Sequence, residues 1–224
     1  MNGAHDLGGK HGFGPIDTSQ QVNFVHDWEA RVFKLTLACG MLGKWNIDES
    51  RFAREDTDPA HYLNSSYYEH WLDGLERLLL EKGLVTEREL QQRRASDGTE
   101  LNAVRADQVP AILAAGGPTQ LATDKTPRFQ AGQRVEVLAD NPRTHTRAPG
   151  YVKGRTGTVV QHYGAHIFAD EHARTAKKEA EYLYCVEFDA IELWGNASAE
   201  TPSVVRVDLF EPYLRESSEA QSFD

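Results

Sequence analysis

The sequence predicts an α+β chain of more than one domain, helical in its amino-terminal half and a small β-barrel in its carboxy-terminal part. Three observations carry this. Between about residues 27 and 94, apolar residues recur at three- and four-residue spacing, the period of helices with one buried stripe. From Phe129 onward they alternate instead, in FQAGQRVEVL, GRTGTVVQHY, YLYCVEFDA and SVVRVDLFEPYL; four or five such short strands in about ninety residues suit a small barrel. Between the two, residues 95–127 hold scattered polar residues and only a short helical patch, VPAILAAGG, as a linker does.

Residues 1–26 come first and favour no regular element. Gly3, Gly8, Gly9, Gly12, Gly14 and Pro15 oppose helix and strand alike. Leu7, Phe13, Ile16, Phe24 and Val25 are interspersed, so the segment reads either as a disordered tail or as an extended arm lying on another protein's surface. Asp27 then caps WEARVFKLTLACG, a helix to about Gly40. A second helix is expected over Asp48–Glu55, and Asp58-Pro59 opens a third, PAHYL. The fourth is the strongest: Ser65 or Ser66 caps it, Tyr68, Trp71, Leu72, Leu75, Leu78 and Leu79 form its apolar face, and Gly83 ends it. Thr86 with Glu89 makes a capping box for TERELQQRR. In the strand region, Gly-Arg-Thr-Gly at 154–157 fits a tight hairpin or bulge. The domains expected are therefore an arm (1–26), a helical domain (27–94), a linker (95–127), a barrel (128–216) and a frayed tail (217–224).

Composition narrows the function. The 224 residues suffice for a real core in one domain or two small ones, and no apolar run is long enough to span a membrane. The amino terminus lacks the cationic patch and apolar block of a secretory signal. Cys39 and Cys185 lie far apart in apolar contexts, which reads as two buried free thiols and a cytoplasmic protein. With 24 Lys and Arg against 34 Asp and Glu, the formal net charge is −10; a general nucleic-acid binder needs a basic face instead.

Against that acidic background, NPRTHTRAPGYVKGRTGTVV gathers Arg143, Arg147, Lys153 and Arg155 in residues 141–160, with His145 among them. Such a segment is suited to an anion. Its GRTGTVV portion is close to the glycine-valine motif with which small barrels of ribosomal and transcription proteins contact RNA, but those domains carry a basic surface. No cysteine pair, H-E-x-x-H or carboxylate-histidine cluster has metal-ligand spacing, and no phosphate loop or nucleophile elbow occurs. Taken alone, the chain holds no complete active site. Tyr68 and Trp71 suit a core at least as well as a pocket, and Arg51, beside Phe52, suits a side chain reaching water as well as an anion ligand.

Pieces in the same order along the chain resemble the β subunit of nitrile hydratase: MNGAHDLGGKHGFGPI, DWE (27–29), DESRF (48–52), HYLNSSYYEHW (61–71), LLLEKGLVTERELQ (78–91), FQAGQRVEVL (129–138), HTRAPGYVKGRTGTVV (145–160), ELWG (192–195) and VRVDLFEPYL (205–214). The resemblance covers nearly all of the chain outside the linker. It implies an SH3-like barrel and an enzyme that adds water to a nitrile to give the amide. It further implies a non-corrin Co(III), less readily a non-haem Fe(III), held by cysteines and backbone amides of an α subunit, two of the cysteines being oxidised to sulfinate and sulfenate. The metal would act as a Lewis acid, and none would be bound by this chain. The partners implied are that α subunit, in αβ or α2β2 assemblies, and a small nitrile, with no nucleic acid and no membrane.

By motif match, Arg51 of DESR and Arg147 of HTRAPGY fall on the family's two arginines that grip the oxidised sulfurs. A buried anion is tolerable beside a guanidinium that stays charged and donates several hydrogen bonds. Tyr67 matches a tyrosine that hydrogen-bonds in the pocket; Ile47 and Trp71 match residues lining the nitrile channel. Of the two histidines adjacent to these anchors, His70 is expected on the substrate side with Trp71 and His145 is expected to orient Arg147. Trp71 and the HYGAHIFADEHA segment resemble cobalt enzymes; iron-type subunits tend to carry tyrosine at the Trp71 position. Thr36 and Ser50 depart from the bulkier apolar residues common there, and a roomier channel follows. The alternatives are a subunit of the related thiocyanate hydrolase, which splits these two halves between chains, and a non-catalytic barrel that binds RNA or protein.

Overall fold

Helices in the amino-terminal half begin where a side chain or a returning carboxylate can accept from the first free N–H groups. In the computed structural model, which describes residues 3–16, 18–19, 22–96, 101–195 and 203–217, helix α1 spans Asp27–Gly40. Its cap is His26 rather than Asp27: the Glu29 carboxylate folds back to accept from the His26 N–H at 3.0 Å. Helix α2 (Ile47–Glu55) starts on Asn46, whose side-chain oxygen accepts from Asp48 and Glu49 at 2.9 and 3.0 Å. Helices α3 (Pro59–Asn64), α4 (Tyr67–Glu81) and α5 (Glu87–Gln92) start on Asp58, Ser66 and Thr86 as their sequences require. A further short helix, α6 (Val109–Ala115), forms from the VPAILAA patch.

The chain divides into two compact units, residues 3–117 and the residues from Pro118 onward. In the helical unit, Val32, Ala53, Leu75 and Leu78 are buried. Helices α2 and α4 approach closely because position 74 of α4 is glycine: a Cβ there would stand 2.6 Å from Cγ of Arg54 and 3.2 Å from its backbone nitrogen. Arg77 of α4 reaches Asp56 just past α2, at 2.9 Å to the carboxylate and 3.0 Å to the carbonyl. Aromatic rings join the rest: Phe24 meets Phe33 and Tyr68 at 5.7 and 5.3 Å, and Phe33 meets Trp71 at 5.8 Å. Cys39 of α1 is half-buried and free, Cys185 of the sheet unit buried and free.

The second unit is built on an antiparallel sheet of β1 (Arg134–Val137), β2 (Thr156–Ile167), β3 (Ala180–Asp189), β4 (Val204–Phe210) and β5 (Leu214–Glu216), in the order β4-β3-β2-β1-β5. Register is fixed by Val135 facing Gly157 on β2 and Glu216 on β5, and by Val186 facing Val159 and Val207. Among the described residues β4 and β5 are both edges, so the ladder does not close on itself as the expected barrel would. Two register shifts in the β2–β3 pair, after Val159 and His162, bend the ladder instead. Phe129, Val135, Val152, Tyr184, Phe188 and Leu209 fill the core. Gly157 lies in strand β2 where a Cβ would meet Val186 and Phe188 at 2.7 and 2.8 Å, so the close approach of the strands requires glycine.

The glycines at 154–157 do not make the expected tight hairpin. Residues 138–155 form one long connection from β1 to β2, including a 3-10 turn at Gly150–Val152. Helices α7 (Ala169–Thr175) and α8 (Ala190–Trp194) form in segments where no helix was expected. Ser217, the first residue of the segment expected to fray, is buried and donates from its N–H to the Arg134 carbonyl at 3.3 Å; positions 218–224 lie outside the described residues.

Candidate functional site

In the helical unit the expected residues fall at i and i+4 on two packed helices, with a further residue at i+7 on each. Ile47, Arg51 and Arg54 share a face of α2, and Tyr67, Trp71 and Gly74 share a face of α4. Ile47 opens α2 and is 54% exposed, and Tyr67 opens α4 and is 65% exposed. Arg51 Nη1 donates to Asp48 Oδ1 at 2.9 Å; the carboxylate is almost buried, while the arginine side chain remains 47% exposed. One nitrogen of the guanidinium is thus anchored to the protein while the side chain stays half exposed.

The Tyr67 ring meets Tyr68 edge-on at 5.1 Å and Trp71 at 5.9 Å. Trp71 also carries the guanidinium of Arg54, 3.8 Å above its ring. Burial pulls the Arg54 pKa down, partly offset by Tyr67. His70, the next position around α4, turns to α3 and stacks on Tyr62 at 4.0 Å and 18°. Its Nδ1 is buried without a hydrogen bond, and burial lowers its pKa against the pull of Asp73. His70 and Trp71 therefore belong to different surroundings.

In the sheet unit, the long β1–β2 connection holds His145 and Arg147. His145, Thr146 and Ala148 are buried and Arg147 is half-buried. The Arg147 N–H donates to the Tyr213 hydroxyl at 3.0 Å, and that hydroxyl donates to Asp170 of α7. Burial raises both pKa values, that of Tyr213 with help from the neighbouring carboxylate, that of Asp170 against the hydrogen bonds from Tyr213 and Thr146. A pocket of about 460 Å3 opens beside the connection, among Leu138, Pro142, Thr146, Phe168, Asp170 and Tyr213. Arg143 and Arg155 are exposed, and Lys153 donates to Asn141 at 3.0 Å. A second pocket, about 550 Å3, lies between Arg134, Asp189, Glu192 and Val204 and holds none of the expected residues.

Sequence reasoning passed over Asp48, Arg54, Asp170 and Tyr213. The first two had a signal: Asp48 precedes Arg51 by three positions, and Ser50 precedes Arg54 by four, where Arg54 Nη2 donates to Ser50 Oγ at 3.0 Å. Asp170 and Tyr213 had none, since their meeting with Arg147 is a product of tertiary folding. Among the described residues, no three His, Cys, Asp or Glu are gathered where one ion could be held, and no helix is long and apolar enough to cross a membrane.

Comparison with known proteins finds matches along nearly the whole chain. A family model described as the nitrile hydratase beta subunit, N-terminal, matches residues 1–121, and its C-terminal counterpart matches residues 118–216. A low-molecular weight cobalt-containing nitrile hydratase subunit beta from Rhodococcus rhodochrous is 38% identical, over 96% of this chain and 99% of the relative. A nitrile hydratase subunit beta from Pseudomonas putida is 35% identical over 96% and 99%. A cobalt-containing nitrile hydratase subunit beta from Pseudonocardia thermophila is 34% identical over 96% of each. Among solved structures, the recombinant apo-enzyme of thiocyanate hydrolase from Thiobacillus thioparus aligns with a TM-score of 0.39 at 24% identity, covering 41% of this chain and 78% of that one.

Proposed function

The chain belongs to the nitrile hydratase β-subunit family, and from that premise we propose that it serves as the β subunit of a nitrile hydratase, active only with an α subunit. The observation that carries this is a partly exposed strip on the helical unit. It combines a carboxylate-anchored guanidinium, Arg51, with apolar and aromatic groups, Ile47, Tyr67 and Trp71. A nitrile is slim, with one weak acceptor, and an apolar aromatic wall suits it. The metal, cobalt rather than iron, would be held by the α subunit; among the described residues of this chain no three His, Cys, Asp or Glu gather where one ion could be held.

Arg51 and Arg147 each present a guanidinium to the partner's oxidised thiolates. An oxygenated sulfur carries negative charge, and a fixed cation with several donors holds it at lower cost than water would inside an interface. Asp48 orients Arg51 from below. Tyr213 and Asp170 fix the backbone of Arg147, so that the side chain starts from a set point. Tyr67 supplies a hydroxyl to substrate or water, Trp71 and Ile47 line the approach, His145 supports the neighbouring Arg147, and His70, stacked on Tyr62, steadies α4 against α3. The bent antiparallel sheet is read as a partly open SH3-like barrel, the assembly as αβ pairs that dimerise to α2β2, and the location as cytoplasmic, in keeping with two free thiols.

Co-expression with the α subunit tests the reading. A partner chain, bound cobalt and conversion of nitrile to amide are expected in one purified complex. A chain that purifies alone, or with nucleic acid, and hydrates no nitrile would contradict it.

A further inference from the structure

We propose that Arg54 is a positioning residue that sets the plane of the Trp71 indole, and through it the size of nitrile that the enzyme admits. This rests on the reading of Trp71 as a wall of the substrate approach. Three aromatic rings border Trp71, Phe33 at 5.8 Å and Tyr67 and Tyr68 at 5.9 Å, all tilted by about fifty degrees and none stacked. The guanidinium of Arg54 is far closer, 3.8 Å from the ring centroid, well inside the roughly 6 Å over which a cation and a ring attract.

Two neighbours hold the guanidinium there. Ser50, itself buried, accepts from Nη2 at 3.0 Å. Gly74 leaves the space through which the arginine stem passes, since a Cβ would stand 2.6 Å from its Cγ. The small side chain at position 50, expected to widen the channel, is thus matched by a bulky arginine lying across the indole. An aliphatic side chain could fill this space without the cost of desolvating a charge. A planar guanidinium adds a constraint: if the indole turns, the 3.8 Å approach of the cation to its ring is lost.

The test uses the complex with the α subunit, labelled with 5-fluorotryptophan, the Trp71 fluorine resonance being the one lost in Trp71→Phe. Arg54→Met keeps the stem and removes the plane and charge. In that variant the Trp71 resonance is expected to shift and broaden. The preference for aromatic over short aliphatic nitriles, as a ratio of kcat/KM, should change by about three- to tenfold, mainly through KM. Arg54→Lys should restore part of both, and Ser50→Ala should move the same resonance less and in the same direction, which keeps the proposal testable if Arg54→Met fails to fold. Arg77→Met, which removes the cation 5.6 Å from Phe52, should leave the Trp71 resonance in place. A Trp71 resonance and a substrate ratio both unmoved by Arg54→Met would overturn the proposal. If the wild-type complex hydrates neither nitrile class, the functional reading fails, while the fluorine spectra still decide whether Arg54 holds the ring.

Discussion

Tyr213 accepts the backbone N–H of Arg147 at 3.0 Å, joining the end of the sheet to the connection that carries the arginine. The same hydroxyl donates to the buried Asp170, so it serves one donor and one acceptor at once. Tyr213→Phe keeps the ring against Phe168 and Phe210 but removes both hydrogen bonds, at a cost of about 1–3 kcal/mol. Thermal unfolding of the complex should show a lower Tm, and turnover should fall with KM little changed, because Arg147 loses its fixed starting point. An unchanged Tm and kcat would separate Tyr213 from the site.

Gly74→Ala sets two effects against each other. Alanine favours a helix interior by about 1 kcal/mol over glycine. The new methyl would stand 3.2 Å from the backbone nitrogen of Arg54 as well as 2.6 Å from its Cγ, and backbone cannot swing aside as a side-chain end can. Overpacking costs about 1–3 kcal/mol, so the variant should be less stable by denaturant titration. Trimming the stem in Gly74→Ala/Arg54→Ala should recover part of the loss.

Acid should loosen the helical unit through two histidines that flank Tyr62. His5 meets its ring at 6.2 Å and His70 stacks at 4.0 Å, and burial lowers both pKa values from the ordinary 6.5. Each binds a proton less readily when folded than when unfolded. Their contribution is therefore complete above about pH 6.5 and is lost as pH falls below it toward the folded values. His70→Gln should flatten the slope of stability against pH in that window; an identical slope would mean that His70 does not titrate with unfolding.

The helical half was the more legible part of the chain. Asp58, Thr86 and the Leu75–Leu78 stripe act locally, through caps and a period of 3.6, and α3, α4 and α5 lie where those signals put them. The sheet half was legible as strands but not in its connections. Gly154 suggested a tight turn, yet it adopts its positive φ of 70° at the end of a long connection, where its N–H meets the Val137 carbonyl at 2.8 Å. Helix α7 was hidden because ADEHART is short, and its packing on Tyr213 through Asp170 is tertiary. For the same reason Arg51 and Arg147 could be named from motifs, whereas the contacts that steady Arg147 could not.

The most direct test of the central claim, that Arg51 and Arg147 neutralise oxidised thiolates of the partner, is the turnover of purified complexes carrying Arg51→Lys or Arg147→Lys. Lysine keeps the charge but loses the planar fork of donors. Each variant is expected to assemble with wild-type metal content and to lose more than about 90% of kcat. Wild-type turnover in both would contradict the claim.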